Sequence, residues 1–197
     1  MLLRDLLPLA RDTISDPKGV LRQLIGLGLD RETLWIALGA TTAVGVLLAE
    51  VMLAILRQQG VEPMFSFGTL PLGSALIEFA LLAILIVAIL WAGRMLGGTG
   101  TLDGAILAVT WLQFIMALVQ VAQLVAMLTL PFLAGVLGLF SVVLFFWLLT
   151  SFVAEIHGFR SRPRVFAGIL IGLLALATVL VFVLTLIGVT LPEMTYV

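Results

Sequence analysis

Five long apolar segments constrain this chain more than any other feature. A helix needs about 20 apolar residues to cross the hydrocarbon core of a bilayer, which is about 30 Å thick. The segments cover residues 34–56, 72–95, 105–128, 132–156 and 165–189. None of them alternates polar and apolar residues, as the strands of a membrane barrel do. Because backbone groups in lipid must find partners within their own segment, we predict an all-α bundle of five transmembrane helices.

The composition agrees with a membrane protein and argues against several other classes. Of the 197 residues, 62% are hydrophobic and only 11% are charged, which is more apolar surface than a soluble domain of this size can bury. The net charge of -1 predicts no nucleic-acid partner, and the lack of cysteine excludes disulfides and thiolate metal sites. One histidine, without an HExxH or GxSxG motif, leaves little for a hydrolase to use. We therefore predict a non-enzymatic protein without a metal or cofactor.

The basic residues beside the spans predict the orientation, because cytoplasmic loops are enriched in Lys and Arg. Of the ten basic residues, only Arg57 falls on one side of the predicted membrane. The others flank the opposite side and are Arg4, Arg11, Lys18, Arg22, Arg31, Arg94, Arg160, Arg162 and Arg164. We therefore predict a cytoplasmic amino terminus and a carboxyl terminus outside.

Residues 1–31 form an amphipathic arm ahead of the transmembrane domain, which we assign to residues 32–197. Leucines between residues 2 and 9 interleave with charged residues over a stretch too short to span. This pattern predicts a helix in the interface, with its leucines in the lipid. Asp16 and Pro17 then predict the cap and first position of a second short helix, over residues 18–26. The arm is interpreted either as a lipid-surface anchor or as a docking element for a cytoplasmic partner.

Polar residues near the outer ends of the spans predict a buried polar layer of Glu50, Glu78, Gln120 and Gln123. Glu50 precedes Arg57 by seven residues and Glu78 follows Pro71 by seven, so each should lie roughly 10 Å below the outer surface. Carboxyl groups in hydrocarbon are costly unless they are neutral or partnered. The layer is interpreted as a proton, cation or headgroup site, or as a hydrogen-bond network that joins helices.

A second set of polar residues lies at the cytoplasmic end and comprises Arg94, Glu155, His157, Arg160, Arg162 and Arg164. Glu155 and His157 are two residues apart, so on a regular helix they point to different sides and form no catalytic dyad. One interpretation is that Glu155 pairs with Arg94 while His157 caps the last carbonyls of its helix. The other is a site for anionic headgroups or a partner. On the fifth span, Gly168 and Gly172 form a GxxxG motif that predicts close helix packing.

Three short stretches, together with the five-span layout and its arm, carry a family resemblance. They are Asp16-Pro17 paired with Leu34-Trp35, the Gly97-Gly98-Thr-Gly turn, and Glu155-Ile-His157-Gly158-Phe159 at the end of the fourth span. Together they resemble the Yip family, in particular its bacterial branch. The resemblance implies a location in the bacterial cytoplasmic (inner) membrane. Eukaryotic relatives are associated with prenylated Rab GTPases, a role that does not transfer to bacteria, which lack that machinery.

Two functions agree with these features. The favoured one is a Yip-type accessory, assembly or scaffolding protein that organises local membrane lipids or another membrane protein through the arm or the cytoplasmic loops. The alternative is a small transporter or channel that uses the outer Glu and Gln layer for a proton, a cation or a lipid headgroup.

Overall fold

The computed structural model describes residues 3–60 and 71–186. Its helices are α1 (Leu3–Ser15), α2 (Pro17–Ile25), α3 (Arg31–Gln58), α4 (Pro71–Met95), α5 (Leu102–Thr129), α6 (Pro131–His157) and α7 (Arg162–Leu186). These two ranges contain no strand, and α3 to α7 each include a stretch long and apolar enough to cross a membrane. The predicted all-α fold with five spans is therefore confirmed. Residues 187–189, the end of the predicted fifth span, lie outside the described residues.

Capping residues determine where α2 and α3 begin. Asp16 accepts a hydrogen bond from the backbone N–H of Gly19 at 3.0 Å, and Pro17 takes the first helical position, as predicted. Asp30 caps α3 by accepting from the hydroxyl of Thr33 at 2.6 Å and from its backbone N–H at 3.0 Å. Both bonds stabilise the carboxylate and lower the pKa of Asp30, and the bond from the Thr33 hydroxyl has the larger effect.

The spanning helices alternate in direction. Only Leu130 separates α5 from α6, so these two helices are antiparallel neighbours. Arg31 Nε lies 2.7 Å from Asp103 Oδ1, which places the starts of α3 and α5 together. The backbone N–H of Thr99 bonds to the carbonyl of His157 at 3.4 Å, which joins the α4–α5 connection to the end of α6. We call this end, which gathers the starts of α3, α5 and α7 and the ends of α4 and α6, the basic end.

Helix α5 is central, and most of the core lies in the half of the bundle nearest the basic end. Residues 104–112 of α5 are buried, and the helix contacts α2, α3, α4 and α6. Residues 148–154 of α6 are buried as well, and Leu34 and Leu38 of α3 complete this half of the core. The opposite half is open, with Phe132 at 86% exposure. In a membrane such side chains face lipid tails, so their exposure costs little.

The arm of α1 and α2 packs one face against the bundle. Leu21 and Leu24 of α2 are buried in the core. In α1, Leu6 and Leu9 pack against the same core, whereas Leu7 is exposed. The expectation that the leucines enter the lipid therefore agrees only with the outer face of α1. The inner face of the arm packs on protein instead. Leu6 and Leu9 of α1 contact the core, and α2 covers the apolar surface of α5 and α6.

A buried hydrogen bond attaches α1 to the central helix. Trp111 of α5 is 6% exposed, and its Nε1 donates to Thr13 Oγ1 at 3.0 Å. Thr13 is itself fully buried, and its hydroxyl donates to the carbonyl of Leu9 at 2.7 Å. Trp111 also stacks on Phe114, with ring centroids 5.1 Å apart. Because a buried indole N–H is only a donor, it needs an acceptor, and Thr13 provides it.

Replacing Thr13 with valine keeps the shape of the side chain but removes this acceptor. We expect a loss of about 1–3 kcal/mol in the free energy of unfolding, because the indole N–H stays buried without a partner. Reversible unfolding in mixed micelles measures the change. Thr178→Val on α7 is the matched control, since that exposed hydroxyl bonds only to Leu174 within its own helix. Equal stability of the two variants would contradict the role of Thr13.

Candidate functional site at the basic end

His157, the only histidine of the chain, ends α6 in a buried position and is 3% exposed. Its Nδ1 accepts a hydrogen bond from the backbone N–H of Gly100 at 3.1 Å, so the neutral ring carries its proton on Nε2. The ring also stacks on Phe159 at 5.5 Å between centroids. The expectation that His157 caps the last helical carbonyls is wrong. Gly158 ends the helix instead, because its φ of 71° is a left-handed conformation that glycine adopts without strain.

Three glycines surround the imidazole ring. They are Gly93 near the end of α4 and Gly98 and Gly100 in the α4–α5 connection. A β-carbon added to any of the three would lie less than 3.0 Å from an atom of the His157 side chain. These positions therefore require glycine for space. We call His157 with Gly93, Gly98 and Gly100 the histidine clasp.

The backbone donors of the α4–α5 connection are already in use. The N–H of Gly98 bonds to the carbonyl of Gly93 at 2.8 Å, that of Thr99 bonds to the carbonyl of His157, and that of Gly100 bonds to the imidazole. A phosphate-binding loop needs such donors to be free. The connection therefore joins α4 to α6 and does not offer an anion cradle.

Glu155 pairs with the arm. Arg22 Nε donates to Glu155 Oε1 at 2.8 Å, whereas Arg94 donates to the backbone carbonyl of Gly100 at 3.2 Å. The predicted pair of Glu155 with Arg94 is therefore wrong, because α2 brings Arg22 alongside the end of α6. The side chain of Arg22 is 70% exposed, so this pair contributes little stability. It does define how the arm is oriented on the bundle.

Arg160, Arg162 and Arg164 surround the start of α7, and none of them pairs with a carboxylate within the described residues. The guanidinium carbon of Arg162 lies 5.0 Å from the centroid of the Trp147 ring, within the range of a cation–π contact. An arginine held against an aromatic face presents its N–H donors from a defined position. His157 was grouped with these arginines in the sequence analysis, but its ring is buried among the glycines of the clasp.

Within the spans, Glu78 has a hydrogen-bond partner that was not predicted from the sequence. Gln113 Nε2 donates to Glu78 Oε1 at 2.7 Å. Gln113 lies about 15 Å along α5 from Asp103 at the basic end, near the middle of the helix. One signal was available, because Gln113 precedes Gln120 by seven residues and therefore shares its helix face.

The other members of the predicted polar layer lie apart from this pair. Gln120 faces α3, with Oε1 3.8 Å from the position of a β-carbon on Gly45, and Gln123 faces α6, with Nε2 3.6 Å from that position on Gly138. Glu50 lies about 28 Å along α3 from its start, much farther from the basic end than the partner of Glu78. The hydrogen bond of Glu78 therefore goes to Gln113, and the common depth of the four residues stays a prediction.

The two glycines of the GxxxG motif on α7 have different surroundings. The position of a β-carbon on Gly168 lies 3.8 Å from Leu96, beyond the end of α4, whereas no described atom lies within 4 Å of that position on Gly172. The contact of α7 with α6 involves Phe166, which meets Phe146 edge to face at 5.9 Å. Within the described chain, only the first glycine of the motif contributes to packing.

No group of three or more His, Asp or Glu residues in the described part of the chain is arranged to hold a metal ion. A shallow groove on α4 is lined by the apolar residues Ala83, Ile84, Val87, Ala88 and Trp91. Such a lining suits a lipid tail better than a polar substrate.

A comparison with protein families decides the assignment. The profile described as Yip1 domain matches residues 11–187, which include α2 and all five spanning helices. The chain belongs to the Yip1 family. No curated protein and no solved structure matches it. Yip1 proteins are membrane proteins and are generally not enzymes, which agrees with the apolar helices described above.

The histidine clasp of this Yip1 protein predicts unequal effects of the same substitution on two helices. Gly93→Ala should destabilise the protein by about 1–3 kcal/mol, because the new methyl group overlaps the imidazole of His157. Gly172→Ala, in open surroundings on α7, should be neutral or slightly stabilising, since alanine favours helix by up to about 1 kcal/mol over glycine. Thermal unfolding in one detergent compares the two. Gly93→Ala with wild-type stability would contradict the close contact.

Proposed function

We propose that this Yip1 protein is a non-enzymatic accessory or scaffolding protein that organises local anionic lipid or a partner membrane protein through its basic end. The observation that carries the proposal is the position of Arg162, held over Trp147 beside Arg160 and Arg164 without a carboxylate partner in the described residues. Arginines that are not neutralised internally are available to phosphates of headgroups or to carboxylates of a partner.

The packing of the basic end supports this proposal, because a binding surface benefits from being formed in advance. The histidine clasp joins α4 to α6, the Thr13–Trp111 bond attaches α1, and the Arg22–Glu155 pair orients α2. The arginines around the start of α7 therefore belong to a well-packed end of the molecule.

The outer face of the arm extends the same surface. Leu7 and Ile14 of α1, together with Leu27 and Leu29 ahead of α3, are exposed although the inner face of the arm is buried. Apolar side chains flanked by basic residues are typical of helices that contact the membrane interface or a partner helix. We further propose that the basic end lies on the cytoplasmic side of a bacterial inner membrane, because loops rich in Lys and Arg remain in the cytoplasm.

Neutralising the three arginines tests the proposal without adding acidic groups. In the combined variant Arg160→Gln, Arg162→Gln and Arg164→Gln, we expect binding to vesicles that contain phosphatidylglycerol to weaken at least tenfold, since each basic residue contributes about 1 kcal/mol near an anionic surface. Arg57→Gln, at the opposite end of α3, is the control and should bind like the wild type.

The same variants are purified in mild detergent, and co-purifying proteins and lipids are identified by mass spectrometry. A protein lost only from the combined variant supports a partner role, and anionic lipid lost only from it supports a lipid role. If neither changes and vesicle binding is equal in all variants, the proposal is wrong.

The Glu78–Gln113 hydrogen bond favours a second candidate, a transporter or channel for a proton or cation. It joins α4 to α5 within the membrane-spanning part, where a carboxyl group is costly without a functional reason. Its structural alternative is a contact that holds the two helices together, worth about 1 kcal/mol.

Substitution of Glu78 distinguishes these alternatives. If the chain conducts protons, Glu78→Gln should abolish pH-driven flux in proteoliposomes, because the amide cannot exchange a proton, while the hydrogen bond to Gln113 and the stability are largely retained. Glu50→Gln is the matched control on α3 and should retain flux. No flux above empty liposomes in the wild type excludes the proton channel, and an equal loss in both variants would contradict a specific role for Glu78.

A further inference from the structure

We propose that the histidine clasp is a pH-sensitive latch, in which protonation of His157 releases the α4–α5 connection from the end of α6. The latch does not depend on the proposed binding of lipid or of a partner. It holds the α4–α5 connection against α6 at the basic end.

The hydrogen bond in the clasp exists only with a neutral imidazole. Nδ1 accepts from the N–H of Gly100 at 3.1 Å, which requires a lone pair on that nitrogen. When Nδ1 takes up a proton from water, it becomes a donor that faces another donor. Of the two hydrogen bonds that join the connection to α6, the one from Gly100 is then replaced by repulsion between two N–H groups, and the one from Thr99 to the His157 carbonyl remains.

The surroundings of the ring prevent a local adjustment. Gly93, Gly98 and Gly100 contact it so closely that none of them has room for a β-carbon. The buried Nε2 forms no hydrogen bond of good geometry within the described residues, although the Ile89 carbonyl on α4 lies close enough to favour a protonated ring. The added proton on Nδ1 faces the N–H of Gly100 and finds no acceptor without movement of the connection, and burial makes the charged ring unfavourable.

The neighbouring charges do not offer the protonated ring a free carboxylate. On α4 the charge that acts on His157 is Arg94, a cation. On α6, Glu155 is paired with Arg22 of α2, and on α5, Asp103 is paired with Arg31 of α3. The start of α7 contributes Arg160, Arg162 and Arg164, and residues 96–101 of the connection include no ionisable side chain. Protonation therefore adds positive charge to a region that is already basic and favours the open connection.

The chain allows a direct test, because it has only one histidine. With histidine nitrogen-15 labelled in the 197-residue chain in nanodiscs, NMR reports the protonation state of His157 without resonance assignment. At about pH 7.5 we expect the Nε2–H tautomer. Burial lowers the pKa of His157 below its ordinary value, so we expect the protonated ring only at about pH 5, below the usual titration range of histidine. An Nδ1–H tautomer at the higher pH would overturn the proposal.

Hydrogen exchange of the connection measures the release. After correction for intrinsic exchange rates, we expect protection of the Gly100 amide to fall at least tenfold between the two pH values. The amide of Leu130, in the connection between α5 and α6, is the internal reference and should not change. Unchanged protection at Gly100 while the ring becomes protonated contradicts the latch, as does a ring that stays neutral throughout.

His157→Asn separates titration from structure, because the asparagine Oδ1 can accept from Gly100 but does not titrate. The variant should show the same protection at both pH values, whereas a pH effect equal to that of the wild type would overturn the proposal. Should the variant not fold, the labelled wild type decides alone. There, loss of protection and ring protonation must share one midpoint, and separate midpoints would refute the latch.

Discussion

The enclosure of the basic half of α5 is the constraint on which the remaining structure depends. This half is buried against α2, α3, α4 and α6, so apolar contacts alone already hold these helices together. In lipid there is little hydrophobic drive for helices to associate, and packing has to provide the stability. The polar contacts of the basic end then select one arrangement among those that packing allows.

Those contacts have different strengths and different roles. The bond between Trp111 and Thr13 is buried and leaves a stranded donor if it is broken, whereas the pair of Arg22 with Glu155 is largely exposed and weak. Glycine contacts of His157 act through shape, since any side chain at Gly93, Gly98 or Gly100 would overlap the ring. Together these contacts explain why an arm that resembles a membrane anchor is also an integral part of the folded domain.

The arginines at the basic end combine two physical effects. Their excess on one side favours one orientation during insertion, and this effect needs no defined geometry. Arg162, however, also has a defined position over Trp147, which insertion does not require. That additional order supports the binding role proposed for this surface.

The sequence by itself determined the class of fold, the five spans, the amino-terminal cap of α2 and the grouping of basic residues at one end, because hydropathy, length and capping are properties of single segments. Only the tertiary structure decided that Glu155 bonds to Arg22 and not to Arg94, that Glu78 bonds to Gln113, and that His157 lies among three glycines. These pairings depend on how far each helix is displaced along its neighbours and on where the arm packs. Neither quantity is encoded in the periodicity of one helix, because both result from contacts between residues far apart in the chain.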